Sequence, residues 1–250
     1  MHLSMPPRGV LLAVVAMAPL ATGAGVATAS ATHGPGTASG PAKHAKHRTT
    51  RHRSARAASE PVVHTVELSD ETVRLANPVP GQQSVWHTTM RKERWLYDGR
   101  SHTVIHRGGE TYDQVLGADG VLRNRLPSGE VQTMSAGKGA EGAEIVSAAK
   151  TDPVSAYRDE LASGDVQDAG LTTYAGRSAH AYQRTTVTTL PDGLGTQTQI
   201  QTFYLDPSDG TPFAIRSHLA NATGTVDDST TLQVHEQLPA TDANLALVAG

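Results

Sequence analysis

"YLDPSDGTPFAIR" (residues 204–216) decides the fold, because it reads either as a metal loop or as the tip of a hairpin. An EF-hand calcium loop needs acidic or amide ligands at positions 1, 3 and 5, glycine at 6 and glutamate at 12. Counted from Asp206, the third position is Ser208, the fifth is Gly210 and the twelfth is Ser217, so the spacing fails. A turn uses every residue. Asp206 suits its first position, Pro207 fixes φ at the second, and Gly210 takes a left-handed conformation. The alternating runs "TFYL" and "FAIR" on either side complete an antiparallel pair.

The same grammar runs outward through most of the chain. "VVHTVEL", "SVWHTTMRKERWLY", "HTVIHR", "ETYDQVL" and "VLRNRL" are short alternating runs separated by Asp98-Gly99, Gly108-Gly109 and Asp119-Gly120. Such dipeptides between alternating runs are hairpin signals. "AGLTTYAG", "SAHAYQRTTVTTL", "TQTQIQTFYL", "FAIRSHLAN" and "TTLQVHEQL" continue the pattern, which gives ten expected strands. Helices are few. Asp152 is placed to cap a helix with Pro153 at its first position and Gly164 at its end, and Val154, Tyr157 and Leu161 share one face. "EGAEIVSAAK" is a looser candidate before it, and Ser69 is placed to cap a short helix over "DETVRLA". The expected fold class is α+β, mostly β: one antiparallel sheet packed on one face, with two or three short helices.

The first 59 residues differ from the rest. Arg8, the apolar run "GVLLAVVAMAPL" and Ala29-Ser30-Ala31 predict a secretory signal peptide over 1–31, with Ala27-Thr28-Ala29 as the alternative cleavage site. The apolar run is about 12 residues, short of the roughly 20 that span a bilayer. With no cysteine in the chain, disulfides, thiolate chemistry and a lipoprotein anchor are excluded. Residues 32–59 contain no large apolar side chain and predict a disordered, His-rich linker. Lys43, Lys46, Arg48, Arg51, Arg53 and Arg56 make it basic, suited to an anionic cell-wall polymer or membrane surface, or simply to a solvated spacer. All 24 acids lie from Glu60 onward, against 14 of the 21 basic residues, so the 60–250 domain carries −10. That charge argues against a nucleic-acid partner.

Motifs of catalysis are missing from the sequence. There is no H-E-x-x-H and no G-x-S-x-G, and Ser178 follows a turn glycine without the strand-turn-helix context of a nucleophile. His102 and His106 share a strand face but stand about 13 Å apart, too far to share a metal. Asp159-Glu160 and Asp227-Asp228 read as solvated surface pairs. The expectation is a non-enzymatic protein with no metal and no cofactor. An exported hydrolase would need acids and histidines gathered in one cleft. If the sheet curves, one face lines an acyl-chain cavity, and Trp86, Trp95, Tyr157, Leu161, Phe203 and Phe213 are its candidate lining. The alternative is that these six fill an ordinary core. An apolar cavity of several hundred cubic ångströms would favour ligand binding, and a filled core would favour surface interaction.

Several phrases in order carry a family resemblance: "PVPGQQSVWHTTMRKERWLYDGRS", "DPVSAYRDELASGDVQDAGLTTYAGRSAHAYQ", "FYLDPSDGTPFAIR" and "LPATDANLAL". They resemble exported actinobacterial proteins of the LolA/RseB-like superfamily, over about Pro78 to Val248. The resemblance implies a strongly curved, unfinished half-barrel with helices across its concave face and no catalytic residues. It also implies a lipid or lipoprotein ligand, or an envelope partner such as an anti-sigma factor, with the protein secreted into the cell envelope.

Overall fold

The computed structural model describes residues 60–137, 139–163, 165–191 and 195–250. The expected signal peptide and the basic linker, with Lys43, Lys46, Arg48, Arg51, Arg53 and Arg56, lie outside the described residues, as does Gly164.

Eleven strands form one antiparallel sheet. In chain order they are β1 (Val62–Leu75), β2 (Val85–Tyr97), β3 (Arg100–Arg107), β4 (Glu110–Leu116), β5 (Val121–Arg125), β6 (Val131–Ser135), β7 (Gln167–Tyr174), β8 (Arg177–Thr189), β9 (Thr196–Leu205), β10 (Pro212–Asn221) and β11 (Gly224–Leu238). Their spatial order is β6-β5-β4-β3-β2-β1-β11-β10-β9-β8-β7. Two meanders thus meet where β1 pairs with β11, from Val62 opposite Leu238 to Leu75 opposite Gly224. The sheet does not close, and β6 and β7 are its edges. Register shifts between Val66 and Glu67, Pro212 and Ala214, and Asp168 and Gly170 mark bulges, which bend a sheet and raise its local twist.

Turn chemistry sets the hairpins. Asp98 and Gly99 both have positive φ, as the twist of a tight hairpin requires. At the far end of β11, a Cβ on Gly224 would stand 2.0 Å from the Arg74 carbonyl oxygen, so only glycine fits against β1 there.

Three helices complete the domain: α1 (Ala140–Lys150), α2 (Pro153–Ala162) and α3 (Asp242–Ala249). α1 and α2 lie on one sheet face. Leu116 and Leu122 meet Val146 of α1, while Phe203 and Ile215 meet Tyr157 of α2. α3 lies on the opposite face, where the His102 ring donates from Nδ1 to the Leu247 carbonyl at 2.7 Å.

Two expectations about elements are corrected. "DETVRLA" is not a helix; β1 runs unbroken through it because β2 and β11 pair with it on both sides. Ser69 caps nothing, and its hydroxyl meets Thr230 Oγ1 at 2.8 Å. β6 and α3 went unread in the sequence.

Candidate functional site

The turn at Asp206–Gly210 closes on itself. The Asp206 amide donates to the Thr211 carbonyl at 2.9 Å, and the Gly210 amide to the Asp206 carbonyl at 2.8 Å. Asp206 Oδ1 accepts the Ser208 amide and hydroxyl, and Oδ2 accepts Arg177 Nη2 at 2.5 Å. Hydrogen bonds from Ser208, then from Arg177, hold its carboxyl down at about 2. Both oxygens serve the hairpin.

The six aromatic and aliphatic candidates divide between the faces. Tyr157, Leu161 and Phe203 come together beneath α2 with Ile215, Val166 and Leu205. Phe203 is fully buried, and the Tyr157 ring meets it edge-on at 6.4 Å. Trp86 is on the same sheet face, half-buried near the start of β2 opposite Val73. Trp95 is on the other face, stacked between His64 at 5.2 Å and His102 at 5.4 Å. Phe213 packs with Ala179, Ala214, Tyr174 and Tyr204 under the Arg177 guanidinium.

Beside the α2 cluster the helix-covered face turns polar, which the sequence did not disclose. Glu67, only 3% exposed, meets Lys92 Nζ at 2.5 Å. Burial lowers the Lys92 ammonium, with Glu67 opposing it. Arg94 Nη1 donates to the carbonyls of Ala148 at 3.3 Å and Thr151 at 3.1 Å, at the end of α1. Thr65, Ser101 and Thr103 are buried in the same region. Arg94 Nε and the Thr65 and Ser101 hydroxyls have no hydrogen-bond partner among the described residues.

Of the two acid pairs read as solvated, Asp227-Asp228 is split by the sheet and Asp159-Glu160 lies on α2. Asp227 faces outward to Arg74 and to His218 Nδ1, whereas Asp228 faces the helix side. Burial first, then the nearby Glu71 charge, pushes the Asp228 carboxyl up to about 6. Glu160 of α2 is likewise covered. Burial raises its carboxyl against the pull of Arg184, 3.4 Å away. Burial also raises the Tyr157 hydroxyl, helped by Glu67, Asp228 and Glu160. The signal in the sequence was the alternation of Lys92 and Arg94 with Thr65 and Glu67 in the neighbouring strand. Charge in a strand ordinarily marks the solvent face, so that signal pointed the other way.

α2 is held at both ends by charge. Asp152 accepts the amides of Val154 and Ser155 as the helix cap and meets His235 Nε2 at 3.1 Å. Glu160 and Arg184 make the second tie. Elsewhere an open groove of about 380 Å³ lies at the end of the β3–β4 hairpin, lined by residues that include Leu68, Met90 and Arg91. None of the six candidates lines it.

No family model matches the chain, and no curated protein matches it. Solved structures do. A putative outer membrane lipoprotein-sorting protein domain from Vibrio parahaemolyticus is 12% identical, with a TM-score of 0.28 over 74% of this chain and 91% of that one. The lipoprotein LppX of Mycobacterium tuberculosis is 13% identical, with a TM-score of 0.33 over 70% and 85%. MucB, solved in complex with MucA(peri), is 20% identical, with a TM-score of 0.25 over 72% of this chain and 53% of that one. At these TM-scores none of the likenesses carries a ligand, a partner or an activity to this chain.

Proposed function

We propose that this protein is an exported, non-enzymatic binding protein of the cell envelope that takes up an amphiphile, a lipid or the acylated end of a lipoprotein, between α2 and the sheet. One observation carries this reading. The apolar cluster of Tyr157, Leu161, Phe203 and Ile215 adjoins buried polar groups, and three of their donors lack an acceptor. An acyl chain would replace the apolar contacts of α2 as that helix lifts, and a polar head would supply acceptors to Arg94, Thr65 and Ser101. The ties from Asp152 to His235 and from Glu160 to Arg184 are side-chain contacts that can exchange without breaking the sheet. No described helix is long and apolar enough to cross a membrane. Native mass spectrometry of protein purified from its own host tests the reading. A bound lipid mass is expected. Its consistent absence, with no uptake of acyl probes, overturns the proposal.

A second reading is favoured by the packing of α2, whose side chains already occupy the space over Phe203. Here the domain is an interaction module that regulates an envelope partner, such as an anti-sigma factor, while residues 32–59 hold it to anionic wall polymer or membrane. Surface retention that survives deletion of 32–59 at low salt counts against the tether, because screening is weakest there.

A further inference from the structure

β2 outruns its neighbour. It pairs with β1 from Val85 to Leu96, but its pairing with β3 begins only at Met90, opposite Arg107. Beyond that point β3 has turned at Gly108-Gly109, and residues 85–89 have a strand on one side only. The Leu75 amide donates to the Ser84 carbonyl, which fixes the phase: Ser84, Trp86 and Thr88 turn their backbone groups toward β1. Val85, His87 and Thr89 turn theirs outward. The Gln83 side chain covers the Val85 carbonyl at 2.7 Å. The Val85 amide and both backbone groups of His87 and Thr89 are left without a ladder partner.

The 380 Å³ groove sits at this step. Leu68 and Met90 supply its apolar part, and Arg91 and Arg107 its cations, with Asp70 the one acid in the lining. In a domain of net charge −10 the groove itself is lined by two guanidiniums and one carboxylate. Arg91 pairs with Glu93 at 2.7 Å and Arg107 with Glu71 at 3.5 Å. Each guanidinium has five donors, and the two side chains are 41% and 35% exposed, so both retain capacity for another acceptor.

We propose that this step is a docking site for an extended, acidic segment of a partner protein, which adds to β2 in line with β3. A peptide backbone is the occupant whose donors and acceptors recur at the spacing of the open edge, and strand addition of this kind takes its affinity from main-chain bonds. The pleat sends alternate partner side chains to opposite faces. A carboxylate on the face of Arg91 and His106 meets Arg91, and an apolar residue on the other face meets Met90. The site is independent of the amphiphile beneath α2.

The test uses a short acetylated peptide of alternating valine and glutamate, its lysine counterpart, and amide exchange read by NMR. The glutamate peptide is expected to bind at least about tenfold tighter than the lysine one and to slow exchange at Val85, His87 and Thr89. Thr89→Pro removes an outward N–H while keeping the β1 ladder, and is expected to abolish that protection. If Thr89→Pro does not fold, the wild-type exchange map decides by itself. The proposal is overturned by equal binding of the two peptides, by protection confined to β6 or β7, by self-association through this edge, or by no binding at roughly 1 mM peptide.

Discussion

Asp206 and Asp228 are the same residue type with opposite fates. Asp206 sits at an exposed turn where Ser208 and Arg177 favour the carboxylate, and its pKa falls to about 2. Its contribution to stability is present above the ordinary value of 3.8 and is lost as the pH falls toward 2. Asp228 is pushed up to about 6 by burial and by Glu71, so the folded state holds its proton more tightly than the unfolded state does. Stability from this group therefore declines as the pH rises from 3.8 to about 6, and the full penalty remains above that. Asp228→Asn should stabilise the protein by roughly 1–2 kcal/mol near pH 8, allowing for solvent that still reaches the group, and by nothing near pH 4. Urea denaturation at the two pH values measures it. Equal effects at both would rule out a titrating Asp228 as the cause.

Among the elements, α2 was the most legible and the end of β1 the least. Asp152, Pro153, Tyr157 and Leu161 carry the cap, the start and the buried stripe in their own spacing, and the helix forms where they place it. Removing the cap with Asp152→Ala should cost about 1 kcal/mol. Asp152→Ser keeps a capping oxygen but shortens the reach to His235, so in chemical denaturation its difference from wild type isolates that tie, and its difference from Asp152→Ala isolates the cap. If both behave as wild type, α2 is held by its apolar face alone. "DETVRLA" misleads because its local signals suit a helix, yet β2 and β11 offer backbone partners along both sides. α3 had a signal in Thr241, whose hydroxyl accepts the Asn244 amide, but the helix has only one buried residue, Val248. β6 is short and exposed, so little hydrophobic pattern marks it.

At the scale of the whole molecule, the sheet is joined by its two most distant strands. The Val62–Leu238 end of the β1–β11 ladder closes nearly the entire domain, and His64 on β1 meets both Glu93 on β2 and Glu236 on β11. Pairings this remote in sequence slow folding, since loop closure precedes their reward. We expect refolding in milliseconds to seconds or slower, and one transition in which Trp86 and Trp95 fluorescence and far-UV circular dichroism coincide. Two separated midpoints would mean that the meanders on either side of β1 unfold independently.

The sequence by itself determined ten of the strands, the hairpin at Asp206–Gly210 and the helix after Asp152, because turn residues and alternation act over a few neighbouring positions. It also offered Trp86, Trp95, Tyr157, Leu161, Phe203 and Phe213 as candidates for one site, of which Tyr157, Leu161 and Phe203 pack together. Only the tertiary structure decided that Trp95 and Phe213 lie across the sheet from them, that Glu67, Lys92 and Asp228 sit beneath the helices, and that β2 extends past β3. Those outcomes depend on which strands become neighbours and in what register. A shift of one residue exchanges the faces, and no local pattern encodes it.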